Sequence, residues 1–386
     1  MRILIVNYEY PPLGGGGGVF ARDLAQELAK ENTVDVITSL YPGLKKQEKH
    51  GSLTVYRVPV LGRDSLNTAS MLSMFTFIVS GLVKGVLLSL RENYTVINTH
   101  FAVPTGPIGL ILSKVFRIPN VLDILGGDIY DPSKKSSPHR IPFLRYVVRF
   151  VVNNASAVVA ESSDIRDNAV KHHGIRRDIN VIPVGIPFPA VPAPSRELLG
   201  MDKNAFYAIS TGRLVARKGF DYLIKALKIA RERTETDLRL ILIGFGPEHK
   251  RLEDLSREIG VKEYITFLRS CDDAAKFRYL AACDIYALSS IHEGFGIVLL
   301  EAMLAGLPIV STNKGGQTDL LEDGKNCLFV PPADEKELAG AILQMAGDKA
   351  LRDAIRQNNL CKVNEFAIDK ISARYEKLFR SLCYNR

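Results

Sequence analysis

Several features that would mark a specialised small fold are scarce or missing in this 386-residue chain. It has only five cysteines, Cys271, Cys283, Cys327, Cys361 and Cys383, and no Cys-x-x-Cys pair. That excludes a zinc ribbon and a dithiol redox motif, and an odd, scattered set reads as reduced thiols in a cytoplasmic protein. The first apolar run, over 3–6, is too short for the core of a secretory leader. There is no low-complexity tract and no solenoid period. The Gly-rich stretch near the start lacks the Gly-Lys-Ser/Thr ending of an ATPase loop.

The composition is otherwise that of a globular chain, 46% hydrophobic and 24% charged. The length allows two or three domains, each with its own core. A net charge of +8 favours an anionic partner (nucleotide, nucleic acid or acidic membrane surface) without choosing among them. One uncharged segment, 65–83, carries Met74, Phe75, Phe77, Ile78 and Val79. Ser65, Asn67, Thr68, Ser70, Ser73, Thr76 and Ser80 interrupt it, which favours a mostly buried helix over a membrane span.

Short apolar runs alternate with helical periodicity along the chain. Strands are predicted over 3–6, 34–38, 54–58, 96–99, 121–125, 157–160 and 181–183, with a helix over 19–30 after the Gly-rich loop. The stretch Ile-Pro-Phe-Pro-Ala-Val-Pro-Ala-Pro over 186–194 can continue neither helix nor sheet. Beyond it the alternation restarts, with strands over 207–211, 238–243, 265–268, 285–289, 308–311 and 327–330. Helices are predicted over 220–233, 248–259, 273–281 and 297–305, and from about 335 the chain reads as helical. This is an α/β chain of two Rossmann-like domains facing each other across a cleft, with functional residues after the strands. The expected domains are 1–187, a Pro-rich hinge 188–197, 198–365 and a C-terminal helix 366–386.

Two clusters carry the sharpest chemistry. The first, His292-Glu293-Gly294-Phe295-Gly296-Ile297-Val298-Leu299-Leu300-Glu301, follows a strand and opens a helix. Free amides at that helix start suit a diphosphate, and Glu293 and Glu301 suit hydroxyl groups on either side of it, the combination a nucleotide sugar presents. The plainer alternative is a glycine turn before an acid-bearing helix. The second, Gly212-Arg213-Leu214-Val215-Ala216-Arg217-Lys218-Gly219, places Arg213 and Lys218 where they could neutralise a departing diphosphate. A solvated basic loop is the alternative, and Arg217 reads as no more than that.

These clusters, with Leu-Ile-Leu-Ile-Gly-Phe-Gly-Pro over 240–247 and the Gly315-Gly316 pair, resemble the retaining glycosyltransferases of family 4, which have the GT-B fold. The resemblance covers nearly the whole chain and implies that 1–187 binds the acceptor, that 198–365 binds the nucleotide sugar, and that the helix 366–386 returns to the first domain. It implies that Arg213 and Lys218 hold the donor diphosphate, and that Gly244 and the backbone of Gly294, Phe295, Gly296, Ile297 and Val298 meet the donor. It also implies that Glu293 contacts sugar hydroxyls and Glu301 the ribose, that the Gly16-Gly17 loop closes over the phosphates, and that no metal or other cofactor is needed. His100 and Asp128 follow predicted strands. Asp128 is expected near the transferred sugar, whereas His100 reads equally as structural or catalytic. Departures from the family pattern are Gly126 where a histidine is common, Val184, Pro187, Asp319, and Arg269 where a glycine precedes the base site.

The expected partners are a UDP- or GDP-sugar donor and a glycan or lipid-linked acceptor in envelope polysaccharide or glycolipid synthesis. Nucleic acid is not expected, because no basic-aromatic recognition module occurs. An anionic membrane surface is a further candidate. Over 139–152, Arg140, Arg145 and Arg149 alternate with bulky apolar residues, as in an interfacial helix, or as in a helix packed on its own sheet. The rival readings are a nucleotide-sugar epimerase or phosphorylase on the same scaffold and, more remotely, a nucleic-acid binder.

Overall fold

A computed structural model of the chain describes residues 1–63, 65–66, 69–134, 136–269 and 271–384. Asn67 and Thr68, two of the polar interruptions noted above, lie outside the described residues. The chain divides into two compact units, Met1–Pro187 with Ala367–Arg386, and Phe188–Phe366.

In the first unit the strands are β1 (Arg2–Val6), β2 (Thr33–Ser39), β3 (Gln47–His50), β4 (Leu53–Val58), β5 (Val96–His100), β6 (Asn120–Ile124), β7 (Ala157–Ala160) and β8 (Asn180–Val181). They form one sheet in the order β3-β4-β2-β1-β5-β6-β7-β8. Every pairing is parallel except β3 with β4. The helices are α1 (Gly16–Leu28), α2 (Met71–Ser89), α3 (Gly106–Phe116), α4 (Pro142–Asn154), α5 (Ser163–His173) and, at the C-terminus, α13 (Ile368–Tyr384). Continuous apolar strands such as Ile3–Val6 are buried because helices cover both faces of a parallel sheet. The sequence did not point to β3. Gln-Glu-Lys-His has no apolar alternation, because a charged, exposed edge strand has no face to bury. Helix α1 starts three residues before the expected 19, drawing Gly16, Gly17 and Gly18 into its first turn. Residue 367 bridges to Ile186, the Ile368 amide donates to the Ile186 carbonyl, and Asn32 donates to Glu376 on α13.

In the second unit, β9 (Phe206–Thr211), β10 (Leu238–Ile243), β11 (Ile265–Leu268), β12 (Ile285–Leu288), β13 (Ile309–Thr312) and β14 (Cys327–Val330) form an all-parallel sheet in the order β11-β10-β9-β12-β13-β14. Its helices are α6 (Phe220–Arg231), α7 (His249–Glu258), α8 (Asp273–Ala282), α9 (Ile297–Leu304), α10 (Gln317–Leu320), α11 (Glu335–Gly347) and α12 (Lys349–Lys362). Asp272, Asp334 and Asp348 cap α8, α11 and α12 through their carboxylates. The strand order reverses between β9 and β12, so the loops leaving these two strands part to opposite faces and leave a crevice at their carboxyl ends.

The uncharged segment corrects its expectation. It is helical, with a Ser70–Ser73 capping box, but it is mostly not buried. Ser73, Phe77, Gly81, Gly85 and Leu88 face inward at helical spacing. Met71, Leu72, Phe75, Val79, Val83 and Leu87 lie exposed on the other side. Hydropathy counted both stripes as core, whereas only one is packed. Phe77 is wholly buried and stands edge-on to Tyr8, the ring centroids 5.1 Å apart. Phe77→Ala should therefore destabilise the first unit by about 3–5 kcal/mol. Phe75→Ala, two residues away on the open stripe, should change stability by no more than about 0.5 kcal/mol. Denaturant unfolding followed for the two variants in parallel checks the contrast, and equal losses would contradict the two-stripe packing.

Candidate active site

The crevice of the second unit is built by loops that must come very close. Gly244, after β10, has φ of +155°, and a Cβ there would stand 1.9 Å from the Gly212 carbonyl oxygen. Only glycine lets the loops after β9 and β10 touch in this way. The Gly212–Gly219 loop is then laced to the loop after β12. The Ile291 amide donates to the Arg217 carbonyl at 2.8 Å, and the Ser289 hydroxyl donates to the Lys218 carbonyl at 3.0 Å. From behind, the Gly316 amide donates to the Glu293 carbonyl at 2.8 Å, and a Cβ on Gly315 would lie 2.2 Å from that same oxygen.

This lacing brings Lys218 and Glu293 together. Lys218 Nζ donates to Glu293 Oε2 at 2.5 Å, and the Ser290 hydroxyl donates to the same oxygen at 3.0 Å. Both ionic side chains are nearly buried. Burial pushes the Glu293 carboxyl upward, but the charges of Lys218 and Arg217, with the Lys218 and Ser290 hydrogen bonds, outweigh it and hold the pKa at about 2. Arg217 is thus an electrostatic member of the site, more than the solvated residue the sequence suggested. Ser289 and Ser290 were missed as site residues, although their place at the end of the predicted strand 285–289 and directly after it was the available signal.

Gly294, Phe295 and Gly296 lead from Glu293 into α9. Gly296 is the residue before the helix, with φ of +97°, and no side chain caps α9. No acid stands in its first turn, so its amides keep their partial positive charge for a ligand. Phe295 is buried against Phe366, which anchors the loop, while Ile297 and Val298 are half-buried at the helix start. Glu301 follows on the helix and accepts from Lys276 Nζ of α8 at 2.7 Å, and Lys276 also reaches Asp273 at 2.9 Å. The sequence did not single out Lys276. Arg213 is half-buried, in a stretch where the Leu214 amide donates to the Phe245 carbonyl. Arg269, at the end of β11, donates from Nε to His249 Nε2 at 3.1 Å.

The first unit has its own reversal, between β1 and β5. Gly17, in the first turn of α1, passes close to Phe101 after β5, where a Cβ would lie 2.8 Å from the ring. Gly16 precedes it, and no side chain caps this helix either. Asp128 joins the loops after β5 and β6. Its Oδ2 accepts from the Ala102 amide at 2.6 Å and its Oδ1 from the Leu125 amide at 3.0 Å. Burial raises its pKa to about 6 in spite of those donors, with the Glu9 charge adding to the rise. His100 is fully buried inside the sheet, 2.9 Å from Asn98 Oδ1 and 3.4 Å from Asp123 Oδ2. Burial lowers its pKa to about 3, so the ring is neutral in ordinary buffers. Asp123 is shared with Asn98 and with Tyr375 of α13. The structure thus gathers Gly212, Arg213, Lys218, Gly244, Glu293 to Val298 and Glu301 in the second unit, and Gly16, Gly17 and Asp128 at the strand ends of the first. It places His100 in the core beneath them.

Known proteins match this chain in sequence and in fold. Residues 14–188 match the model of Glycosyltransferase Family 4, and residues 194–360 that of Glycosyl transferases group 1. The D-inositol 3-phosphate glycosyltransferase of Paenarthrobacter aurescens is 26% identical over 89% of this chain and 88% of its own. Sucrose-phosphate synthase from Thermosynechococcus elongatus superposes with a TM-score of 0.88 at 22% identity, covering 100% of both chains. HepE from Anabaena, solved in complex with UDP and glucose, superposes with a TM-score of 0.79 at 25% identity, covering 99% of this chain and 100% of that one.

Two measurements test the site's electrostatics and packing. A carboxyl whose folded pKa is depressed adds stability that is present above its ordinary value and lost as pH falls through the folded value. For Glu293 that window runs from 4.5 down to about 2. The ¹³C resonance of the Glu293 carboxyl should titrate near 2 in the wild type and at clearly higher pH in Lys218→Met, where only Arg217 and Ser290 are left to oppose burial. An unchanged titration would remove Lys218 as the cause. Gly315→Ala, adding a Cβ against the Glu293 carbonyl at a φ of +119°, should cost about 2 kcal/mol or more in denaturant unfolding.

Proposed function

The chain belongs to glycosyltransferase family 4, a two-unit enzyme of the GT-B fold, and on that premise we propose that it moves a hexose from a nucleoside-diphosphate sugar to a glycan or lipid-linked acceptor with retention of configuration and without a metal. The observation that carries the reading is the Lys218–Glu293 pair, set beside the uncapped start of α9 at the strand reversal of the second unit.

Each part has a separate task. The α9 amides, Lys218 and Arg213 take up the negative charge that grows on the diphosphate as the glycosidic bond breaks. Glu293, held ionised, accepts hydrogen bonds from sugar hydroxyls, and its carboxylate keeps the Lys218 side chain pointed at the site. Glu301, steadied by Lys276, faces the ribose. If the leaving phosphate itself takes the acceptor proton on the side from which the bond broke, configuration is retained and no protein nucleophile is required. Asp128, whose carboxyl burial pushes up to about 6, is proposed as a polar contact that the first unit offers to a sugar substrate. A UDP-hexose is the first donor to try, because HepE was solved with UDP and glucose. The acceptor class follows from the family resemblance.

A panel of UDP- and GDP-sugars, read by release of the nucleoside diphosphate, tests the proposal. Lys218→Ala and Glu293→Ala should each lower kcat by about 100-fold or more while circular dichroism stays that of the wild type. Turnover in either folded variant at the wild-type rate would defeat the assignment. An anomer-resolving NMR assay of the product decides retention.

A further inference from the structure

Helices α2, α3 and α4 lie side by side on one face of the first unit's sheet. They have 19, 11 and 13 residues, all described, and none is Asp or Glu, although the chain holds 42 acids. The charges they do carry are Lys84, Lys114, Arg145 and Arg149. The same helices expose most of the large apolar side chains that lie open among the described residues. On α2 these are Met71, Leu72, Phe75, Val79, Val83 and Leu87, on α3 Ile111 and Val115, and on α4 Phe143, Tyr146 and Phe150. Soluble proteins seldom leave so broad an apolar face open without a partner for it.

We propose that this three-helix face docks on an anionic lipid bilayer, with the helices lying in the plane of the interface. The charge pattern selects the occupant. A second copy of the chain, meeting this face by a two-fold axis, would set Lys and Arg against Lys and Arg with no acid between them. A bilayer with acidic headgroups offers the opposite charge to the basic residues and hydrocarbon to the aromatic and aliphatic ones. Beside α4, Arg140, Arg145, Arg149, Tyr146 and His139 line a cavity of about 310 Å³, which gives an acidic headgroup a seat.

Helix α2 is long and apolar enough to cross a membrane by composition, but its packing forbids that arrangement. Its inner stripe is fixed along the full length. Tyr8 and Ser73 are hydrogen-bonded at 2.7 Å, and Phe77 packs on Tyr8. Gly81 and Gly85 admit Ile108 and Leu112 of α3 so closely that a Cβ would stand 2.9 and 2.5 Å from them. A helix pinned along one side can offer only its other side to lipid.

The test uses the full chain without any sugar donor, so its outcome is independent of the transferase reading. The protein is sedimented with phosphatidylcholine vesicles and with vesicles containing about a third phosphatidylglycerol. The wild type should bind the acidic vesicles at least about tenfold more tightly, and about 0.5 M salt should weaken the binding. Phe75→Ser with Val79→Ser, and separately Arg145→Gln with Arg149→Gln, should each reduce binding about tenfold or more while the fold is kept. Failure of the wild type to bind acidic vesicles at low salt would overturn the proposal, as would undiminished binding by both variants. A lipid-free oligomer that the Phe75→Ser, Val79→Ser variant abolishes, in a protein that ignores vesicles, would assign the face to a second copy.

Discussion

The buried ion pair between Lys218 and Glu293 is the constraint from which the organisation of the second unit's site follows. A carboxylate with so little access to water is costly unless a cation and hydrogen-bond donors meet it, and here one ammonium and one hydroxyl converge on a single oxygen. Lys218 follows β9 and Glu293 follows β12, 75 residues later. Adjacent parallel strands with diverging helices are what place such distant residues within bonding reach. The close approaches at Gly244, Gly219 and Gly315 serve the same end, since each lets backbone pass backbone where any side chain would hold the loops apart. The pair also fixes a charge distribution: one carboxylate oxygen is saturated by Lys218 and Ser290, and the α9 amides beside it remain without a side-chain cap. A ligand with adjacent anionic and hydroxyl groups is the natural complement to that arrangement.

Much of this was legible in the sequence because its elements obey simple periods. β7, β10, β11 and β14 fall on the expected residues, since each is a short, mainly apolar run, wholly buried in β7 and half-buried in the edge strands β11 and β14. The Glu293 and Lys218 loops were legible because glycine and charge cluster directly after strands. What escaped notice lacked such a signal. Ser290 and Lys276 act through partners 3 and 25 residues away, and only folding brings the longer pair together. Arg217 was read as solvent-facing because its loop is basic and short, yet its charge helps to depress the Glu293 carboxyl. The edge strand β3 is polar throughout and sits beside β4 by virtue of backbone pairing alone.

In the first unit the polar residues near the strand ends have two different fates. Asp128 spends both oxygens on backbone amides and so fixes the loops after β5 and β6 against each other, but its raised pKa leaves it able to exchange a proton near neutrality. His100 lies one layer deeper, where burial keeps the ring uncharged and the Asn98–Asp123–Tyr375 network ties β5 and β6 to α13. A histidine at a strand end satisfied both the structural and the catalytic reading of the sequence. The geometry assigns it a hydrogen-bonded place in the core, and its link to α13 makes the C-terminal helix part of the first unit's interior.

The exposed stripe of α2 shows why hydropathy and packing must be weighed separately. A helix with one apolar face needs one neighbour, and α2 has found it in Tyr8 and α3. Its second apolar face gains nothing for the isolated fold, because exposed Leu, Val and Phe contribute no burial. Such residues add nothing to stability, and they stand on three neighbouring helices, α2, α3 and α4, that carry no Asp or Glu, whereas α5 beside α4 carries Asp164 and Asp167. If the face met only water, occasional acids would serve solubility as well as lysines and arginines do, and better per residue. Exposed aromatics, interleaved cations and the lack of acids on these three helices are the features on which the proposed docking to an anionic bilayer rests.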